Sequence, residues 1–319
     1  MSQTTDYIAQ WYEVREEMGI PDTIHLFFHN LSSRQQEWQQ HRHRDMDGIG
    51  MIANTLEDMG YQFPLLPTCR DKREPGLLSV WKQQRQLPKD TTPKQVQWKY
   101  FRAQHSTASN DPVVDIIQPA LLEHLKDCAA MRQVSLASLL LACLNRAAFE
   151  LLLKPDSTAY WFYPVNVRDQ LNGSSDRGNR SSGFYLPVKY DSSAESIHQQ
   201  VRERLRSQQH WWLWKQAHIG RLVGKSGVRW IYKTLSRKQH YLGSFSFLGD
   251  WSMPQHPQLV LGVCGAGTEN YPIATGITEC NQHLSLALKF HPSICRDAQT
   301  SARCLQRWVD ILKEESAYE

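Results

Sequence analysis

From residue 49 to 59 the apolar positions fall at Ile49, Ile52, Ala53, Leu56 and Met59. That spacing predicts a helix with one buried face, and Gly60 follows where a C-cap takes glycine. Residues 6–19 read as a short helix, and TIHLFFHNL at 23–31 predicts a strand. Residues 61–112 are rich in Pro, Lys, Gln and Thr; they read as a long connection with one or two strands, QVQWKYFRA at 95–103 being the best of them. PALLEHLKDCAAMRQ (119–133) and SLASLLLACLNRAAFELLL (135–153) predict two strong helices, with Ser135 as N-cap of the second. The second is apolar nearly all round, so burial is expected.

The texture changes after residue 156. STAYWFYPVNVR (157–168) predicts a strand ending at a turn, NGSSDRGNRSSG (172–183) a polar loop, and FYLPVKYD (184–191) another strand. A long helical region spans roughly 193–239. Three β segments then follow, GSFSFLGDW (243–251), QLVLGVCGAG (258–267) and HLSLALKF (283–290), before a closing helix at 296–314. The chain is therefore expected to be α+β. Its two lobes, 1–156 and 157–319, each mix helices and strands, with antiparallel-type segments in the second.

Composition narrows the classes. The chain has 319 residues, 41% hydrophobic and 21% charged, as expected of a soluble globular protein. No apolar run is long enough to span a bilayer, and the first residues lack a secretion signal, so a cytoplasmic location is expected. The seven cysteines are scattered without a CxxC pair, which argues against a disulfide framework and a structural zinc site. The net charge of +4 suits a phosphorylated cofactor, an acidic carrier protein or the inner face of an anionic membrane. It is too weak to argue for nucleic acid, and no nucleic-acid motif occurs. A serine hydrolase is disfavoured because no GxSxG elbow is present.

Residues 41–50, HRHRDMDGIG, hold the densest candidate chemistry. His43 and Asp47 are four apart, Gly48 follows, and the helix of 49–59 begins at once. A charged run beside glycine is commonly a solvated turn. A strand-to-helix junction can instead point a histidine into a cleft and turn the aspartate towards a structural partner.

HRDMDG at 43–48 resembles the HxxxDG motif of the chloramphenicol acetyltransferase-like acyltransferase superfamily, which includes peptide-synthetase condensation domains, wax ester synthases and dihydrolipoyl acyltransferases. Three further stretches are similar to the family's pattern and fall in its order: 134–152, 163–188 and 243–267. The resemblance implies two lobes of like fold with the active site at their interface. It implies transfer of an acyl group from acyl-CoA or a phosphopantetheinyl carrier protein to a hydroxyl or amine, with His43 as general base and no metal or permanently bound cofactor. Asp47 is implied to pair with Arg168 and pin the motif loop, and Gly48 to permit the bend. Ser244 and Ser246, on one face of a strand, are implied as hydroxyl donors to the oxyanion, Ser244 marginally ahead. Gly178 and Asn179 are implied to shape the channel. His291, with Cys295 four residues on, reads as a decayed counterpart of the motif.

The chain also departs from the family. Only 42 residues precede His43, so part of the first lobe is expected to be missing or rebuilt. The segment before the motif, SSRQQEWQQHR (32–42), is polar on both faces, which suits an edge strand, a helix or a polar cavity lining rather than a buried strand. A non-catalytic relative that binds a carrier, or one half of a heteromeric acyltransferase, is the alternative. Residues 210–238 combine four tryptophans with a row of lysines and arginines. They read as a core helix with a basic outer face, as an interfacial helix at a membrane surface, or as a contact for cofactor or carrier. The tryptophans and the wax-synthase-like loop lean towards a lipid-like or long-chain acyl substrate, in lipid or secondary metabolism.

Overall fold

Two sheets of unequal size form the frame. A computed structural model of the chain describes residues 7–62, 65–86, 96–102, 111–171, 173–236 and 241–317. The chain opens with α1 (Tyr7–Glu17), β1 (Thr23–Asn30), β2 (Gln36–Arg42) and α2 (Gly48–Asp58). It continues through α3 (Leu77–Gln86), β3 (Val113–Ile117), α4 (Pro119–Met131), α5 (Leu136–Leu152) and β4 (Ala159–Asn166). Then come β5 (Ser181–Val188), α6 (Ala194–Arg206), α7 (Gln209–Ser236), β6 (Tyr241–Asp250), β7 (Leu259–Cys264), β8 (Ile273–Cys280), β9 (His283–Phe290) and α8 (Thr300–Ser316).

The large sheet runs β3-β9-β8-β6-β4-β5. Its centre, β8-β6-β4, is parallel and its flanks are antiparallel, so the antiparallel-type segments expected after residue 156 are present as β4–β5 and β8–β9, around a parallel centre that the sequence did not show. Helices α4, α5, α6 and α8 cover one face and form the main core with it. Ser135 caps α5 by accepting from Ser138 N–H at 3.2 Å, and Leu140, Leu141, Leu144 and Ala147 are fully buried. No single helix among the described residues is long and apolar enough to cross a membrane.

The small sheet runs β2-β1-β7, all antiparallel. The apolar face of α2 packs Ile49, Ile52, Ala53 and Leu56 on Ile24, Leu26, Phe28, Leu261 and Val263. Burying each large aliphatic side chain there contributes about 1.5–3 kcal/mol. Gly60 ends the turn after α2 at φ +73°, a left-handed conformation that favours glycine. The opposite face of the small sheet meets the large one, where a Cβ on Gly262 of β7 would lie 2.6 Å from Ser285 Oγ of β9. β2 is an edge strand, which accounts for its polarity on both faces.

The sheets do not divide at residue 156. β3, from before it, joins the large sheet, and β7, from after it, completes the small one. The connection at 61–112 also differs from expectation. It contains α3, and within 96–102 only an isolated bridge from Trp98 to Leu153 forms, not a strand. Gln95 and Ala103 lie outside the described residues. β3 and β8 have no counterpart in the sequence reading.

Candidate active site

A cavity of about 520 Å³ opens on the face of the large sheet away from the four helices. Strand alternation builds its floor. On β4, Trp161 belongs to the core, while Phe162, Pro164 and Asn166 line the cavity. On β6, Phe245 is core while Ser244 and Ser246 line the cavity, so the two hydroxyls share a face. Helices α1 and α7 wall it with Trp11, Tyr12, Arg15, Leu213, Trp214 and Ala217, and the start of α2 closes one side.

His43 lies just past β2, its N–H donating to the carbonyl of Asp22 at 2.7 Å. Four residues on, Asp47 is the N-cap of α2, and Oδ1 accepts from Gly50 N–H at 2.9 Å. The carboxylate receives three further donors: Arg168 Nη2 on Oδ1 and Nη1 on Oδ2, both at 2.8 Å, and Arg180 N–H on Oδ2 at 2.9 Å. Arg168 is 1% exposed and uses all five donor hydrogens. Beyond Asp47, Nε donates to the Asp176 carbonyl at 2.6 Å, Nη1 to Asn166 Oδ1 at 3.1 Å and Nη2 to the Gly178 carbonyl at 2.8 Å. The loop after β2 and the turn after β4 are thereby tied together.

The imidazole of His43 lines the cavity and stacks on the ring of Tyr12, centroids 5.3 Å apart. Asn179 Nδ2 donates to the His43 carbonyl at 2.8 Å and stands 2.9 Å from Nδ1. An amide nitrogen cannot accept, so a bond there makes Nδ1 the acceptor and leaves the hydrogen on Nε2. Burial, and secondarily the positive charge of Arg15, hold His43 below the ordinary histidine pKa. The ring is therefore neutral near pH 7.

Of the remaining sequence candidates, Asn179 lines the cavity and Gly178 does not. Gly178 is a correction, because its carbonyl is engaged by Arg168 behind the wall. Gly48 sits at the first position of α2 without a left-handed φ, and a Cβ there would meet Leu248 Cδ2 at 3.3 Å. Its role is close approach rather than a bend. Gly50 is the tighter position: a Cβ would fall 2.1 Å from the Arg177 carbonyl oxygen. His291 lies outside the cavity lining, and its Nδ1 is 2.8 Å from Ser293 Oγ at a short 3₁₀ turn.

In the tryptophan-rich stretch, Trp211 and Trp214 are buried and Trp230 is exposed. Lys225 and Arg229 pair with Glu13 and Glu17 of α1 and Lys215 pairs with Glu74, while Leu222, Val223 and Trp230 stay exposed around a break in α7 at Gly224. Arg237 and Lys238 lie outside the described residues. Sequence reasoning did not single out Tyr12, Arg15, Tyr185 or Tyr271, all in the cavity wall. Trp11 and Arg15 are four apart on a helix face, but nothing in that spacing separates a cavity wall from a solvated side. Among the described residues no group of three His, Cys, Asp or Glu side chains is arranged to hold a metal.

No family model matches the chain, and no curated protein matches it by sequence. Solved structures match in fold. The condensation domain from Monacolin K polyketide synthase has a TM-score of 0.55 at 11% identity, over 89% of this chain and 70% of that one. The starter condensation domain of rhizomide synthetase, solved as a variant in complex with C8-CoA and Leu-SNAC, has a TM-score of 0.54 at 12% identity, over 88% of this chain and 66% of that one. Trichothecene 15-O-acetyltransferase from Fusarium sporotrichioides has a TM-score of 0.50 at 11% identity, over 69% of this chain and 48% of that one. The chain thus shares the fold of these condensation domains and of this acetyltransferase. It spans between about half and 70% of the length of those chains.

Proposed function

We propose that the protein is an acyltransferase that moves an acyl group from a thioester of coenzyme A or a phosphopantetheinyl carrier protein to a hydroxyl or amine, with His43 as general base. The observation that carries this reading is the neutral imidazole of His43 inside the cavity, on a loop locked by the Asp47–Arg168 contact. In the proposed step, the neutral imidazole of His43 takes the proton from the acceptor as the acceptor's nitrogen or oxygen attacks the thioester carbonyl. The C–S bond breaks, the thiolate leaves and receives the proton from the imidazolium. His43 ends neutral, and no acyl-enzyme forms. Ser244 and Ser246 present hydroxyls to the same cavity, where one donates to the developing oxyanion. Holding donor and acceptor together supplies proximity. The complex of one structural neighbour with C8-CoA supports a thioester donor with an aliphatic chain.

A second reading, a non-catalytic binding protein or one half of a heteromeric enzyme, is favoured by the open polar edge of β2. Thiol release from octanoyl-CoA, measured with a panel of amines and alcohols, separates the two. His43→Ala is expected to lower acyl transfer by about 10²–10⁴-fold while leaving the unfolding midpoint in place. An unchanged rate sinks the base assignment. A wild-type protein that consumes no thioester until a partner chain is added supports the second reading.

A further inference from the structure

The cavity changes character along its length. At the late end of β6, Leu248 packs against Gly48, and Ile24, Ile49 and Val263 complete an aliphatic wall. At the early end of the same strand, Tyr241 stacks on Tyr185 and Tyr271 at 4.6 and 4.9 Å, and the hydroxyls of Tyr185 and Tyr271 lie 2.9 Å apart. The rise of a strand sets these ends ~20 Å apart. The motif loop belongs to the aliphatic end, through the contact of Gly48 with Leu248.

Arg15 stands between the two ends. Its guanidinium lies 4.8 Å from the centre of the Tyr12 ring, and that ring stacks on His43 at 5.3 Å. The same charge acts on Tyr232 and Tyr271. Nη2 donates to the carbonyl of Pro21, and the buried Nε has no hydrogen-bond partner among the described residues. Asp22 lines the same cavity but forms no ion pair with it, and among the described residues no other carboxylate does. A partly desolvated guanidinium in a cavity wall, with no carboxylate of the chain beside it, is matched by a carboxylate, which takes charge-assisted hydrogen bonds from it.

We propose that Arg15 reads a carboxylate on the acceptor, and that the acceptor is therefore a free α-amino or α-hydroxy acid rather than an uncharged amine or alcohol. This rests on the acyltransferase reading above. One ring separates Arg15 from His43, so only a few bonds can separate the nucleophile from the anion, which is the geometry of an α-substituted acid. The phosphates of coenzyme A or a carrier arm do not fit that distance, because the whole pantetheine chain lies between them and the thioester. The acyl chain takes the aliphatic end, and the acceptor's own side chain faces the tyrosine hydroxyls.

Binding of the joined product tests this without turnover. Trp11 and Trp214 line the cavity, so quenching of tryptophan fluorescence reports N-octanoyl-leucine against N-octanoyl-leucinamide. Wild type is expected to bind the acid about tenfold or more tightly than the amide, as a charge-assisted contact supplies. Arg15→Gln brings the two within about twofold, and Arg15→Lys weakens the acid several-fold while sparing the amide. His43→Ala keeps the full preference. Equal affinity for acid and amide in wild type, a preference that survives Arg15→Gln, or binding of neither ligand at millimolar concentration overturns the inference. Loss of turnover plays no part here, so failure of the general-base reading is seen separately in the thiol-release assay.

Discussion

Two arginines near the same histidine serve opposite ends. Arg168 is buried behind the motif loop, and every donor it owns ends on an oxygen of the chain. Arg15 stands in the cavity wall with Nε unpartnered and a ring beneath it. A guanidinium saturated by its own protein can only hold shape; one left partly unsatisfied at a cavity can bind something else. The contrast separates groups that position the imidazole from groups that meet its substrates.

The sharpest way to break that contrast is at the saturated arginine. Arg168→Lys replaces a planar fork with a point charge and strands the Asp47 carboxylate among unmet contacts. A loss of about 3–5 kcal/mol in urea unfolding is expected. Gly50→Ala tests the same locked loop from its other side. With the Arg177 carbonyl 2.1 Å from the added carbon, the backbone must shift, and about 1–3 kcal/mol is expected to be lost. Arg15→Gln should cost about 1–2 kcal/mol, since it removes one backbone hydrogen bond and the contact of the guanidinium with the Tyr12 ring. Its signature is in the pH profile. Arg15 lowers the His43 pKa, and the base form of His43 carries the reaction. In wild type the acid limb of kcat/KM therefore falls below the ordinary histidine value of about 6.5. Removing the charge raises the His43 pKa, so the limb moves to higher pH. A limb that stays in place, or moves lower, places Arg15 too far from the ring to matter.

Much of the frame was legible because its elements bury a periodic face. The stripe Ile49, Ile52, Leu56 and the nearly all-apolar α5 needed no tertiary knowledge. β8 was missed for a tertiary reason. Gly276, which weakens it as a strand signal, lies where a Cβ would sit 1.5 Å from the Val263 carbonyl oxygen, so the close passage of β7 dictates that residue. β3 was missed because Val113–Ile117 is five residues long with an aspartate at its centre. The polar β2 remained ambiguous, since strand alternation speaks only of faces that are covered. The same divide runs through the site. Asp47 and Arg168 were named from sequence because a motif fixes residue types at set spacing, and the structure joins them at 2.8 Å. Tyr12, Arg15, Tyr185 and Tyr271 come from separate elements with no fixed spacing, and only the fold assembles them.

The exchange of strands has a consequence for how the chain is made. β1 is paired on one side by its hairpin neighbour, but its other partner is Leu259–Cys264. During synthesis the platform beneath α2 stays open until that late segment leaves the ribosome, so an interrupted or C-terminally clipped product has an unfinished first lobe and a bare, apolar strand edge.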